Sequence, residues 1–282
     1  MINCRGCAHP RLTPVANILG ARWYLCLRCT LFQSAEVRSD LAEVLQTNRD
    51  YPWGSLTEAA FAREVASAGR YWDEMAAWAK LSSQARVLDL GCGDGPLLTH
   101  LRERRQPCVG LEPSSTNVER CQSAGLECVN GFLSDTTFAP QSFDVVHLHH
   151  VALYIPDLDH TFWRIRRLLR PGGFVFWKER VLDWNGTTLR STLAKGTHLV
   201  QYFSKASMDN ILRLHALRPA HSRSHFGVHY VVAKVQASEL DPVGNWPIEW
   251  MRARTLHATE LILPPCKRAA DRLGLKIRRW LD

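Results

Sequence analysis

The run Arg86-Val87-Leu88-Asp89-Leu90-Gly91-Cys92-Gly93-Asp94-Gly95-Pro96 constrains this chain more than any other feature. A short apolar run reads as a buried strand. Glycines at 91, 93 and 95 then let the backbone turn sharply and come close to a ligand. A helical stretch, Leu97–Arg104, follows. Strand, glycine loop and helix in that order open an α/β unit that binds its ligand at the carboxyl end of the strand. From Arg86 to about Gln236 short apolar runs alternate with helical stretches, the pattern of a parallel sheet with crossover helices. A length of 282 residues holds one such domain and an appendage.

A glycine loop alone does not name its ligand, because dinucleotides bind to similar ones. Two details separate the readings. A dinucleotide fingerprint places a third glycine where this chain has Pro96. Asp89 and Asp94 put carboxylates in or beside the loop, which repels a pyrophosphate but suits a sulfonium and an amino group.

The segment VLDLGCGDG resembles the first motif of class I S-adenosylmethionine (SAM)-dependent methyltransferases, and the resemblance continues downstream. Cys108–Glu112 reads as the second strand, followed by Pro113 and a helix capped by Ser114. Glu127–Asn130 reads as the third strand, with Gly131-Phe132 after it, and Ser142–His150 as the fourth. Leu168–Gly173 resembles the turn into the fifth, and Val228–Val235 the final hairpin strand. The resemblance implies a doubly wound, Rossmann-like α/β sheet, mostly parallel with the last strand antiparallel. It implies SAM as cofactor, with Glu112 on the ribose hydroxyls. The implied contacts are Asp89, Gly91, Cys92, Gly93, Gly95, Glu112, Pro113, Phe132 and His149. No Asn/Asp-Pro-Pro-aromatic tetrapeptide follows the fourth strand, which argues against an amino-methyltransferase acting on DNA.

Methyl transfer from a sulfonium needs an oriented nucleophile and, for a hydroxyl, a base. His149 and His150 close the fourth strand at the carboxyl edge and are the candidate catalytic residues. Strand alternation predicts that only one of them faces the site. Packing histidines are the bland alternative.

The N-terminal segment carries its own signature. Cys4-x2-Cys7 and Cys26-x2-Cys29, separated by eighteen residues, match two hooks around one tetrahedral Zn2+, with two redox Cys-x2-Cys pairs or a chance spacing as the alternatives. With four thiolates available the zinc would be structural, and His9 a bystander. The expected organisation is a zinc-ribbon-like module at 1–35, a helical connector at 36–80 broken at Tyr51–Gly54, a SAM-binding domain at 81–240 and a basic tail at 241–282.

Of the +8 net charge, residues 252–282 hold eight Lys/Arg against three acids. Leu273, Ile277, Trp280 and Leu281 recur there at helical spacing. Such a helix suits peripheral membrane contact, an RNA-binding arm, or packing on the chain's own domain. MINCRGC lacks the pattern of a signal peptide, so a cytoplasmic home is expected. The functional expectation is methylation of a small-molecule, sugar or natural-product acceptor, at oxygen first, with nitrogen or carbon as alternatives. The competing reading is an RNA methyltransferase that grips nucleic acid with the zinc module and tail.

Overall fold

The structure, a computed structural model, describes residues 3–18, 21–47, 57–135, 138–181, 199–225 and 227–236. The Tyr51–Gly54 break and the basic tail at 241–282 lie outside the described residues.

Three short strands open the chain: β1 (Thr13–Ile18), β2 (Ala21–Leu25) and β3 (Phe32–Ser34). Helices α1 (Leu41–Thr47) and α2 (Glu58–Ala79) follow, the second capped by Thr57, whose side chain accepts from the Ala60 N–H. An α/β alternation comes next: β4 (Val87–Leu90), α3 (Pro96–Glu103), β5 (Cys108–Glu112), α4 (Ser115–Ser123) and β6 (Cys128–Asn130). It continues with β7 (Phe143–His149), α5 (Leu158–Leu168) and β8 (Leu169–Arg180). The last elements are β9 (Gln201–Tyr202), α6 (Lys205–Leu214), β10 (Leu217–His225) and β11 (Val228–Val235).

Seven strands form one sheet in the order β10-β11-β8-β7-β4-β5-β6. The central pairs are parallel, and β11 runs antiparallel to both β8 and β10. This is the expected doubly wound sheet with a reversed last strand. The Leu168–Gly173 turn survives as a bulge, since β7 pairs Phe143 with Leu169 and then Val145 with Phe174. Chain order reverses between β5 and β7 on either side of β4, and ligands bind at the carboxyl edge beside such a switch point.

The two faces of the sheet are covered differently. Val87, Val145, Phe176 and Val232 point to one side and pack with Trp72 and Met75 of α2 and with Leu97 and Leu101 of α3. Helix α2 lies close to α3 because Gly69 leaves room for the His100 ring, which a Cβ there would meet at 2.2 Å. Leu88, Val146, Leu148, Val175 and Trp177 point to the other side, where α5, α6 and the N-terminal strands complete one continuous cluster.

The N-terminal strands are joined to the rest of the molecule. Strand β3 pairs with β9 (Phe32 with Tyr202, Gln33 with Gln201), giving a four-stranded antiparallel sheet β1-β2-β3-β9. Trp23 stacks on Phe32 at 5.1 Å and lies 5.4 Å from Tyr202. The Arg5 guanidinium donates to the Val200 carbonyl at 2.7 Å, and the Arg5 carbonyl accepts from the Asp159 N–H at the start of α5. No described helix is long and apolar enough to cross a membrane.

Candidate active site and cysteine clusters

The glycine loop turns as its composition requires. Gly91, Gly93 and Gly95 all have positive φ (70°, 56° and 79°), where a side chain would be strained. Their surroundings differ. A Cβ on Gly91 would meet Val151 at 2.5 Å, and one on Gly95 would meet Leu126 and Cys121. A Cβ on Gly93 would meet nothing within 4 Å, and the same holds at Gly131. The backbone is therefore open at Gly93 in the loop and at Gly131 after β6. Pro96 occupies the first position of α3, where a missing N–H is harmless.

Glu112 ends β5 facing that opening. Its carboxylate accepts from the Gly93 N–H and the Ser114 N–H, each at 3.0 Å. Burial pushes its carboxyl up to about 6, partly offset by those two N–H donors. Pro113 follows, its carbonyl held by the Asn130 side chain at 3.0 Å, and Phe132 is half-buried beyond Gly131.

The loop acids are already engaged. Asp94 pairs with Arg120 at 3.0 Å. Asp89 is buried, with Oδ1 2.7 Å from His147 Nδ1. That contact follows from register, since Asp89 on β4 and His147 on β7 are direct partners on the same face. Cys92 differs from the expectation in one respect. Its side chain turns inward, 3.5 Å from the Cys128 sulfur, so only its backbone faces the opening. Cys92, Cys121 and Cys128 form a buried trio that sequence spacing did not reveal, because its members come from a loop, a helix and a strand.

His149 and His150 are both present at the carboxyl edge, and strand alternation does not separate them. His150 sits at φ +56°, so the extended backbone ends at His149 and the two rings come within 4.6 Å. His149 is held well below the ordinary histidine range by burial, helped by His150, Lys178 and His147. His150 has a different partner. Its Nδ1 lies 3.1 Å from Oε1 of Glu179, a fully buried carboxylate whose Oε2 has no hydrogen-bond partner among the described residues.

Two residues in this neighbourhood escaped the sequence reading. Lys178 and Glu179 lie side by side on β8, in register with His149 on β7 and with Tyr230 and His229 on β11. The signal for them was a charged pair, Lys-Glu, closing an otherwise apolar strand, Phe174-Val175-Phe176-Trp177. Tyr71 of α2 closes over this edge, 4.2 Å from Tyr230 and 6.4 Å from His149.

The N-terminal cysteines form a second cluster. Cys4, Cys7, Cys26 and Cys29 are all buried, and their sulfurs lie within 4.8 Å of one another. Cys4 and Cys29 are 3.4 Å apart, and Cys7 and Cys26 3.6 Å. A tetrahedron with Zn–S bonds of about 2.3 Å needs sulfurs about 3.8 Å apart, so the donor set fits a zinc ion. The two hooks repeat one local geometry. Ala8 N–H donates to Cys4 O and Thr30 N–H to Cys26 O, both at 2.8 Å, and Ala8 and Thr30 both have positive φ. Burial pushes the Cys29 thiol up, whereas hydrogen bonds from Cys29, Cys4 and Cys7 hold Cys26 far below the usual thiol range. His9 stands apart, half-buried and bonded to Arg11.

Comparisons with known proteins agree with this geometry. A family described as a methyltransferase domain matches residues 58–221. A fatty-acid O-methyltransferase of Mycolicibacterium smegmatis is 34% identical over 101 residues, covering 33% of this chain and 36% of that one. A ubiquinone biosynthesis O-methyltransferase of Chelativorans sp. is 27% identical over 192 residues, covering 63% of this chain and 70% of that one. The chain thus spans little more than a third of the fatty-acid enzyme's length. Among solved structures, a chain from the complex of the Haloferax volcanii Trm112 methyltransferase activator with a methyltransferase superposes with a TM-score of 0.52. It is 20% identical, covering 63% of this chain and 95% of that one, a likeness of fold.

Proposed function

Because the chain belongs to the methyltransferase-domain family and has the class I SAM-dependent fold, we propose that it transfers a methyl group from SAM to an oxygen of a small-molecule acceptor. The observation that carries this reading is the meeting of Gly93 and Glu112 at an open stretch of backbone. Val151, which follows the histidine pair, packs against Gly91 of the same loop.

The residues present suit the cofactor. Glu112, once its bonds to the loop N–H groups are shared, offers a carboxylate to two ribose hydroxyls. Gly93 keeps the backbone open to the cofactor, and Pro113, Phe132 and His149 flank the loop. Asp89, through His147, ties β4 to β7 below the loop. SAM, when bound, supplies a methyl group already activated by its sulfonium. The chain's task is then to orient the acceptor and to take its proton. His150 suits the proton-accepting role, since Glu179 fixes its ring and supports the cation that forms on protonation. His149, kept neutral by burial, is a wall rather than a base.

The same reading places one structural zinc on Cys4, Cys7, Cys26 and Cys29, with every coordination position filled by protein. The likeness to O-methyltransferases of fatty acids and of ubiquinone biosynthesis favours oxygen as the methylated atom.

The test is transfer of labelled methyl groups from SAM into fractionated small-molecule extracts, for wild type and His150→Gln. The expected result is labelling of an oxygen by the wild type. The variant should lose a factor of about 10²–10⁴ in kcat while binding SAM unchanged. A variant as active as wild type would remove His150 from the mechanism, and label found only in RNA would replace the acceptor class.

A further inference from the structure

Lys178 is 9% exposed, yet among the described residues its ammonium makes no salt bridge and no hydrogen bond. Its recorded company is aromatic, with Nζ 5.1 Å from the Tyr71 ring centroid and 5.4 Å from that of Tyr230. Cation–π contacts of this kind stabilise an ammonium without supplying the charge of an ion partner. Natural proteins rarely bury a lysine without an ion partner. The Tyr71 hydroxyl is likewise buried without a partner among the described residues, a second donor near this ammonium.

The location matters as much as the lack of a partner. Lys178 is in register with His149 on one side and Tyr230 on the other, at the carboxyl edge of the sheet. It shares the α2-facing side with Asp89, His147 and His149, and its backbone carbonyl accepts from the His150 N–H at 3.0 Å. An ammonium fixed one strand away from the histidine pair can reach an acceptor placed over that edge.

Resting on the methyltransferase reading above, we propose that Lys178 is a specificity-determining residue that reads a carboxylate on the acceptor, with the Tyr71 hydroxyl as a second donor. Glu64 and Glu179 already act on this ammonium, so a monoanionic carboxylate is repelled less there than a phosphate dianion. Burial lowers the Lys178 ammonium to about 8, against the opposing pull of Glu64 and Glu179. The acceptor class is therefore an organic acid whose methylated oxygen lies within reach of His150.

Binding tests this without a turnover assay. The full chain, saturated with S-adenosylhomocysteine, is titrated by ligand-observed NMR with three matched pairs: benzoate and benzamide, 4-hydroxybenzoate and 4-hydroxybenzamide, decanoate and decanamide. The wild type should bind at least one acid about tenfold or more tightly than its amide, the discrimination expected of one charge-assisted contact. Lys178→Met should abolish that preference while leaving amide binding and S-adenosylhomocysteine binding unchanged, and Lys178→Arg should restore part of it. Equal binding of acids and amides, no binding by any acid, or an acid preference that survives in Lys178→Met overturns the proposal. Failure of wild type to bind S-adenosylhomocysteine is a different result, which removes the methyltransferase reading itself.

Discussion

Glu112 is the residue where local electrostatics and cofactor binding meet. Its folded carboxyl is raised from 4.5 to about 6, so the folded state holds a proton there that the unfolded chain releases sooner. This contribution favours the fold below about pH 4.5 and is lost as pH rises through about 6, roughly 2 kcal/mol in all. Cofactor binding runs the other way, because the ionised carboxylate is the better acceptor for ribose hydroxyls. SAM affinity, followed by calorimetry, should tighten between about pH 5 and pH 7, and Glu112→Gln should be weak and flat over that range. A wild-type affinity that falls as pH rises would contradict the assignment. Glu112 and the glycines were legible in the sequence because each does a local job at the end of a strand. The Asp89–His147 pair and the placement of Lys178 beside His149 were not, since they arise from register between strands about 58 and 29 residues apart in sequence.

At the scale of elements, the short strand β9 has the largest influence for its size. Two residues long, it closes the N-terminal sheet through β3. Its Gln201 side chain donates to the carbonyls of Ala152 and Ile155, in the turn that follows the histidine pair. The N-terminal cysteine hairpin therefore braces the turn after the histidine pair. Cys26→Ser, or chelation of the purified protein, should remove one equivalent of zinc. It should lower the melting midpoint by roughly 10 °C, as for a loss of about 3 kcal/mol. Acceptor KM should rise several-fold, with little change in SAM affinity. A cysteine variant that keeps its zinc and its midpoint would refute the four-thiolate site. The two Cys-x2-Cys hooks could be read from spacing alone. The β3–β9 pairing could not, because a two-residue strand has no periodicity and its partner lies some 170 residues away.

Over the whole molecule, one continuous apolar cluster runs from the N-terminal hooks through β7 and β8 to β11. By its resemblance to the family, the sequence implies a mostly parallel sheet with its last strand reversed, and the central strands follow it. It describes the N-terminal segment as an appendage, whereas Gly6 packs directly beside Ile211 of α6, 2.9 Å from where a Cβ would stand. Amphipathic patterns show which residue faces inward but not which neighbour receives it. The central claim, that this fold is a SAM-dependent methyltransferase, is tested most directly by calorimetric titration of the full chain with SAM and S-adenosylhomocysteine, beside an Asp89→Ala, Glu112→Ala double variant checked for folding. The account predicts one site per chain for each ligand in the wild type and loss of both in the variant. A folded wild-type protein that binds neither ligand would contradict it.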